Sequence, residues 1–167
     1  FGKKNLLIHK IETLKKIKEL EEIIINTDSD KAIKIAKNLK VNFFRREEYY
    51  ASSSCSNSEF WSDIAKNTNS KYIMFTHCTN PMVKKKTYEE FIKAFKKNKN
   101  KFDSFNTVSE VKEFLFKKNK PINFNPRKTP NSQNLPDIVK LNFAINILLT
   151  DQMYKTKTLI GKKPYFF

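Results

Sequence analysis

Three apolar segments of the sequence each end in polar side chains of the kinds that bind nucleotides and sugars. The segments are residues 23–25, 41–44 and 72–75. The polar residues that follow them are Thr27, Asp28, Arg46 and His77. A hydroxyl, a carboxylate, a guanidinium and an imidazole can together hold phosphate and hydroxyl groups in place. One polar segment end is ordinary, but three in succession predict a ligand site.

The apolar segments have the composition of buried β-strands, and stretches with helical periodicity separate them. The periodicity predicts helices over residues 6–19, 32–39 and 88–95 and another from residue 59, with further strands over 104–111 and 141–147. This alternation is typical of a mostly parallel sheet with helices on both faces. We therefore predict a single three-layer, Rossmann-like α/β domain over residues 1–167. Ligands bind at the carboxyl ends of such strands, where we expect the polar residues to meet.

Residues 112–136 interrupt the alternation and predict a hairpin excursion from the sheet. Two apolar stretches flank a lysine-rich turn, and three prolines follow. The apolar residues of these stretches include Phe114, Phe116, Ile122 and Phe124. They fit either an interface with another chain or packing on their own sheet.

The formal net charge of +16 raises the alternative of a basic nucleic-acid-binding domain. However, the only arginines are Arg45, Arg46 and Arg127, and the lysines are dispersed along the chain. Base readout and bidentate phosphate contacts favour arginine. We therefore interpret the charge as a lysine-rich solvated surface and expect no nucleic-acid partner.

Several classes of protein are disfavoured by the composition. There is no long apolar run and no signal peptide, so we expect a cytoplasmic protein with no membrane partner. The two cysteines, Cys55 and Cys78, do not indicate a disulfide scaffold. The only glycines are Gly2 and Gly161, so residues 1–167 cannot build a glycine-rich phosphate loop.

Seven short segments, in order across nearly the whole chain, resemble the cytidylyltransferase family that includes CMP-sialic acid synthetase. They are LLIHKIE at 6–12, INTDS at 25–29, REEYYA at 46–51, CTNPM at 78–82, DSFNTV at 103–108, SQNLP at 132–136 and LNFA at 141–144. The resemblance implies a nucleotidyltransferase fold. It also implies transfer of CMP from CTP to a small acidic sugar or related acceptor, with release of pyrophosphate. The expected setting is synthesis of surface-polysaccharide precursors, with Mg²⁺ as cofactor.

The resemblance also implies nucleotide-binding residues. The family's nucleotide-associated arginine falls at Arg46, for which the alternative is a surface salt bridge with Glu47 or Glu48. A small polar residue that contacts the base falls at Asn57, beside Ser56, for which the alternative is a helix N-cap. Thr27 and Asp28 complete the predicted nucleotide set, although Asp28 also fits a helix cap.

Candidate acceptor-binding residues follow from the same resemblance. His77 lies where sialic acid synthetases often carry a glutamine that faces the acceptor, although a structural role is the alternative. Gln133 matches an acceptor-loop glutamine, and Lys117 and Asn142 complete the set. The arginine that the family carries just before Gln133 is replaced here by residues 131–132, Asn-Ser. The cation that would hold the carboxylate of sialic acid is therefore missing from this position.

Two parts of the family pattern are not found in the sequence. The loop that holds the triphosphate is expected before residue 1, and the paired aspartates for Mg²⁺ are expected after residue 167. We thus expect no metal site within residues 1–167 and assign no catalytic residue. The resemblance further implies a homodimer formed through residues 112–136. Use of another nucleoside triphosphate remains an alternative.

Overall fold

The structure, a computed structural model, describes residues 5–167 of the chain. Its helices are α1 (Leu6–Leu14), α2 (Asp30–Asn38), α3 (Glu48–Ala51), α4 (Asn57–Lys66), α5 (Lys85–Asn98) and α6 (Thr150–Thr156). Its strands are β1 (Ile24–Thr27), β2 (Asn42–Arg45), β3 (Tyr72–Phe75), β4 (Ser104–Val111), β5 (Phe116–Lys117), β6 (Lys120–Pro121), β7 (Ile138–Leu149) and β8 (Pro164–Phe166).

Helix α1 begins where the sequence predicts but ends earlier. The Asn5 side chain caps it by accepting a hydrogen bond of 2.9 Å from the backbone N–H of Ile8. The helix ends at Leu14 and the chain continues in turns, so the prediction of a helix to residue 19 was wrong. Ile17 is nonetheless only 3% exposed. The apolar spacing therefore reflects burial of Ile17 in the core, which a turn achieves as well as a helix.

Strands β1 and β2 form a parallel pair that runs from Ile24 opposite Asn42 to Thr27 opposite Arg45. The prediction that both are buried was wrong, since Ile24 is 36% exposed and Phe43 is 38% exposed. Within residues 5–167 these strands pair only with each other, and α2 packs against them. Their apolar side chains consequently stay partly open to solvent.

The main sheet has the strand order β3-β7-β4-β8. Strand β7 runs antiparallel to both β3 and β4, while β8 runs parallel to β4. Three of the four strands of this sheet therefore point the same way, as in a mostly parallel sheet, but the antiparallel β7 lies between β3 and β4 and makes two of the three pairings antiparallel. The expectation that β3 would pair beside β1 and β2 is not met, because within the described residues β3 pairs with β7 alone.

The core lies on both faces of the main sheet, as the three-layer prediction requires. Alternate residues of β7 point to opposite faces. Ile145 and Ile147 pack with Tyr88 and Phe91 of α5, while Leu148 packs with Ile64 of α4. Helices α1 and α5 thus cover one face, and α4 and α6 cover the other.

The excursion contains the predicted hairpin, formed by β5 and β6. Its two turn residues, Lys118 and Asn119, have φ values of 48° and 63°, the left-handed conformation that a tight hairpin turn requires. Asn123, 7% exposed, holds the hairpin base by accepting from Leu115 N–H and donating to the Glu113 carbonyl, each at 2.8 Å.

Helix α6 and strand β8 were not predicted. Met153 of α6 and Leu159, in the segment that follows, are fully buried. β8 extends the sheet, and its Tyr165 ring lies 5.2 Å from the Phe102 and Phe105 rings. The apolar C-terminal segment is thus part of the sheet.

Candidate functional site

Arg46 is held at the carboxyl ends of β1 and β2 by two hydrogen bonds to one residue. Its Nε donates to Asn26 Oδ1 at 2.7 Å, and one terminal nitrogen donates to the Asn26 carbonyl at 2.8 Å. Within residues 5–167 Arg46 makes no ion pair with Glu47 or Glu48, so the salt-bridge alternative is not supported. Its neighbour Arg45 instead pairs with Asp30.

An aromatic cluster of Phe60, Trp61, Phe75 and Phe143 connects Arg46 to the end of β3. The Arg46 guanidinium lies 4.7 Å from the centre of the Phe60 ring, a cation–π arrangement. Phe60 meets Phe75 edge-on at 6.3 Å, and Phe75 meets the His77 ring at 4.8 Å. A chain of ring contacts thus links Arg46 to His77, although their strands belong to different sheets.

A bulge in β7 brings Phe143 into the aromatic cluster. Phe143 has a φ of 54°, which costs about 1–2 kcal/mol for a residue with a side chain. Its ring stacks with Trp61 at 6.5 Å. The Asn142 side chain stabilises the bulge by accepting from Thr107 Oγ1 at 2.6 Å and from the Ala144 N–H at 3.0 Å.

Asn142 therefore has its side-chain oxygen occupied by hydrogen bonds within its own sheet. Its Nδ2 also donates to Ser109 Oγ at 3.0 Å. One amide hydrogen remains without a partner among the described residues. A role for Asn142 in binding the acceptor stays a prediction.

His77 is half-buried at the end of β3. Burial and, to a lesser extent, the positive charge of Lys10 lower its pKa below the ordinary value. The imidazole is therefore neutral at pH 7, and one ring nitrogen can accept a hydrogen bond. A neutral ring at this position suits contact with a sugar hydroxyl.

Ser56, and not Asn57 or Ser58, is the N-cap of α4. Its Oγ accepts from the Glu59 N–H at 3.3 Å, and Glu59 Oε2 accepts in return from the Ser56 N–H at 2.9 Å. This capping box, with Tyr49 also donating to Glu59, lowers the Glu59 pKa to about 2. The Ser56 hydroxyl is therefore engaged, whereas Asn57 is the first helical residue and is exposed.

The predicted pair at the end of β1 lies next to Arg46 but takes no part in the helix cap. Ser29 caps α2, so the interpretation of Asp28 as a cap was wrong. Asp28 is exposed, and its carbonyl accepts from Arg45 at 3.4 Å. The Thr27 hydroxyl accepts from the Ser29 N–H at 3.2 Å, and the Thr27 carbonyl accepts from the Arg46 N–H at 2.9 Å.

Gln133 and Lys117 lie in the excursion and are both exposed. No contact between them and the aromatic cluster is found within the described residues. The structure thus places Thr27 and Asp28 beside Arg46 and links His77 to Arg46 through the Phe60 and Phe75 rings, but it does not bring the two excursion residues to them.

The sequence reasoning missed the residues that hold this surface together: Asn26, Phe60 and Phe75. Asn26 lies within the segment at 25–29 that resembles the family, so the sequence could have indicated it as a candidate site residue. The contact between Phe60 and Phe75 joins a helix to a strand, and local periodicity carries no information about it.

Other features of the described chain lie away from these residues. One cleft of about 290 Å³ has Tyr72 and Lys163 among its lining residues. A second, of about 390 Å³, is lined by residues that include Glu19 and Lys96. Both cysteines are free, and no helix within residues 5–167 is long and apolar enough to cross a membrane.

Solved structures with the same fold are all distant in sequence. The chain matches 4-diphosphocytidyl-2C-methyl-D-erythritol synthase from Anaerococcus prevotii at 15% identity and TM-score 0.65, covering 93% of this chain and 64% of that one. It matches bifunctional IspDF from Campylobacter jejuni at 13% identity and TM-score 0.67, and the match covers 98% of this chain and 42% of that one. It matches CMP:2-keto-3-deoxy-manno-octonic acid synthetase complexed with CTP at 12% identity and TM-score 0.64, and the match covers 92% of this chain and 67% of that one.

The chain thus spans 64% and 42% of the first two of these proteins. At these identities the matches establish the Rossmann-like nucleotidyltransferase fold. Comparison with curated proteins gives no significant sequence match. A family model described as cytidylyltransferase matches residues 1–145. Because this match covers most of the chain, the protein belongs to the cytidylyltransferase family.

Proposed function

We propose that this protein binds CTP and transfers its cytidylyl group to a small acidic sugar or related acceptor. Membership of the family supports the use of CTP. The observation that carries the proposal is the position of Arg46, fixed by Asn26 and stacked on Phe60 at the carboxyl ends of the strands. The expected setting is precursor synthesis for surface polysaccharides in the cytoplasm.

The proposed reaction is an in-line displacement at phosphorus. An oxygen of the acceptor attacks the α-phosphorus of CTP, and the bond from that phosphorus to the bridging oxygen breaks. Pyrophosphate leaves with that oxygen, and the acceptor hydroxyl loses its proton. The protein's contribution to such a reaction is position and charge rather than covalent chemistry.

Arg46 suits the nucleotide because most of its guanidinium is still available. Only two of its five N–H groups donate within residues 5–167, both to Asn26. The remaining three can donate to phosphate or base oxygens. The stacking on Phe60 fixes the plane of the guanidinium, so these donors point in a defined direction. Thr27, Asp28 and Asn57 supply further polar groups on the nucleotide side.

His77 suits the acceptor, at the other end of the aromatic cluster. The neutral imidazole can accept a hydrogen bond from an acceptor hydroxyl without adding charge. Gln133, Lys117 and Asn142 are proposed to complete the acceptor contacts. Lys117, on the exposed hairpin, would supply the positive charge for an acidic group.

Magnesium would balance the charge of the triphosphate in such a reaction. Within residues 5–167 no three His, Cys, Asp or Glu side chains lie close enough together to hold a metal ion. Asp28 is exposed, and the nearby Asp30 carboxylate is paired with Arg45. These residues therefore do not form a magnesium site by themselves, and the roles proposed for Arg46 and His77 do not depend on one.

The acceptor can be sought among three acidic molecules. Sialic acid is the family acceptor to which the sequence segments point. The names of the structural matches add 2-keto-3-deoxy-manno-octonic acid and 2-C-methyl-D-erythritol 4-phosphate. The first two carry a carboxylate and the third a phosphate, so the panel also tells which acidic group the site prefers.

The test measures pyrophosphate release from the full-length protein with CTP, MgCl₂ and each acceptor. We expect release that needs both CTP and one acceptor. Arg46→Lys should lower kcat/KM by 10-fold or more, about 1.4 kcal/mol, since lysine cannot make the same fork of hydrogen bonds. The matched control is Arg45→Lys, which changes an exposed ion pair and should stay within about twofold.

Thermal shifts separate the proposal from its alternatives. CTP at about 100 times its Kd should stabilise the protein by about 2.7 kcal/mol, whereas UTP, ATP and GTP should not. Stabilisation by another nucleotide alone would indicate that the protein uses that nucleotide in place of CTP. Tight, steeply salt-dependent binding of generic DNA or RNA, with no CTP effect, would replace it with nucleic-acid binding.

We also propose that the protein forms a homodimer through residues 112–136. The hairpin exposes Phe114 at 40%, Phe116 at 59% and Ile122 at 58%. The Phe114 and Phe116 rings both pack on Phe124, so they are presented as one rigid apolar patch. Phe116→Asp should give a monomer by sedimentation, whereas Tyr154→Asp on α6 should not change the assembly. A wild-type monomer would contradict this part of the proposal.

A further inference from the structure

Lys10 is buried against neutral partners, which is an uncommon position for a lysine. It lies on α1 and is 4% exposed. Its Nζ donates to the Asn80 carbonyl at 2.9 Å and to the Tyr88 hydroxyl at 2.6 Å, and lies 5.2 Å from the centre of the Tyr88 ring. No carboxylate within residues 5–167 pairs with it.

The hydrogen bonds around Lys10 have a fixed direction. Thr76 Oγ1 donates its single hydrogen to the Ala144 carbonyl at 2.6 Å. In its bond of 3.0 Å with Tyr88, Thr76 must therefore accept, and the Tyr88 hydroxyl must donate. Tyr88 in turn can only accept from Lys10. The chain of donors thus runs from Lys10 through Tyr88 and Thr76 to the backbone of β7.

This chain and its neighbours hold both ends of the loop that follows β3. Thr76 is the first residue after the strand, and Asn80 lies four positions further on. His9, next to Lys10 on α1, shares a hydrogen bond of 3.1 Å between its Nε2 and the Pro81 carbonyl. Residues 77–79, which include His77, lie between the points held in this way. Helix α1 and Tyr88 of α5 therefore determine the shape of the loop.

Burial of an ammonium group costs stability that an apolar side chain at this position would not cost. Desolvation lowers the pKa of Lys10 to about 8, while the nearby Cys78 acts in the opposite direction. The charge of Lys10 is in turn felt at His77, where it helps to lower the imidazole pKa. Lys10 therefore acts on the loop both through hydrogen bonds and through its charge.

We propose that Lys10 is a positioning residue that, together with Tyr88 and Thr76, holds the loop of residues 76–81 so that a neutral His77 faces the acceptor. This inference rests on the proposed function, because it assigns the task of His77 to acceptor contact. It adds a residue on α1, distant in sequence from the loop, to the determinants of acceptor binding.

The first test compares steady-state kinetics of the wild-type protein, Lys10→Met and Tyr88→Phe. Lys10→Met removes both hydrogen bonds and the charge, while Tyr88→Phe removes only the hydroxyl that relays to Thr76. We expect both to raise KM for the accepted member of the panel by about tenfold, the scale of one lost hydrogen bond between His77 and the acceptor. KM for CTP should stay within about twofold. The matched control is Lys16→Met, an exposed lysine just beyond α1, which should change neither constant.

The second test does not need turnover. The His77 pKa is measured by NMR, with its signals assigned from their loss in His77→Gln. In Lys10→Met it should rise, because a positive charge is removed, whereas in Lys10→Arg and Tyr88→Phe it should stay low. His9, Cys78 and Tyr88 are the other titratable groups around Lys10. The sequence has two histidines, so the imidazole signals that remain in His77→Gln belong to His9.

The outcomes distinguish a failure of this inference from a failure of the proposed function. If no member of the panel is turned over, the proposed function fails, and the His77 titration alone decides whether Lys10 sets the environment of the loop. An unchanged His77 pKa in Lys10→Met would overturn the inference whether or not CTP is used. Equal rises in KM for CTP and for the acceptor would also overturn it, since they indicate general loosening.

Discussion

A pair of buried amides in the main sheet offers the sharpest test of how this fold is held. Asn106 of β4 and Asn146 of β7 are opposite each other and fully buried. Asn106 Nδ2 donates to Asn146 Oδ1 and to the Leu159 carbonyl, both at 2.9 Å. Asn106 Oδ1 and Asn146 Nδ2 have no partner within residues 5–167. A single buried water between them would satisfy both.

The two halves of the pair should not be equivalent. Asn106→Leu leaves two buried acceptors unpaired, on Asn146 and Leu159. At 1–3 kcal/mol each, this should cost about 4 kcal/mol of unfolding free energy. Asn146→Leu leaves Asn106 bonded to the Leu159 carbonyl but unpairs one hydrogen of Asn106 Nδ2, and should cost about 2 kcal/mol. In the double variant only the Leu159 carbonyl lacks its partner, so the cost should be about 2 kcal/mol, about 4 below the sum of the single variants.

Urea unfolding followed by far-UV circular dichroism measures these four free energies. The slope m should stay constant across the set, since the surface exposed on unfolding is the same. Asn100→Leu, at an exposed site, is the control and should stay within about 0.5 kcal/mol. Equal costs of the two single variants, or a double variant equal to their sum, would refute the hydrogen-bond assignment.

Three further predictions concern charge and backbone. Because the Lys10 pKa falls from 10.5 to about 8 on folding, the unfolded chain binds more protons above pH 8. Stability should therefore rise from pH 8 to 9.5, by at most about 2 kcal/mol, and Lys10→Met should remove this rise in pH-dependent unfolding. Because the Glu59 pKa is lowered to about 2, the stability that ionised Glu59 contributes should be complete above about pH 5 and lost as pH falls towards 2. Ser56→Ala should shift this loss to higher pH, as measured by acid-induced unfolding. Lys157 ends α6 with a φ of 54°, so Lys157→Gly should add about 1 kcal/mol and raise Tm by about 2–4 °C in calorimetry, whereas a lower Tm would contradict this account of the cap.

Much of the local structure could be predicted from the sequence. Strands β3 and β4 have the predicted bounds, and the hairpin of the excursion lies where the lysine-rich turn indicated it. The order of the short family-like segments identified the cytidylyltransferase family, which the family match confirms. The resemblance placed the nucleotide-associated arginine at Arg46, and the structure gives Arg46 and its neighbour Arg45 different partners, Asn26 and Asp30. Local composition carries this information because strand and turn formation depend largely on neighbouring residues.

Errors arose where a residue's environment depends on distant parts of the chain. The run at residues 23–25 looks like a buried strand, but β1 pairs only with β2 within residues 5–167 and stays partly exposed. Ser56 rather than Asn57 caps α4, because the reciprocal bond with Glu59 selects the register of the helix start. Both positions fit the composition of a cap, and only the folded backbone chooses between them.

The sequence by itself determined the layered α/β fold and the family, and it named candidate nucleotide-binding side chains, because these follow from periodicity, residue type and order along the chain. Only the tertiary structure decided how those side chains are connected. The contact of Arg46 with Phe60, the bulge that brings Phe143 to Trp61, and the burial of Lys10 beneath the His77 loop each join segments far apart in sequence. Such contacts form only when the sheet and its helices pack together.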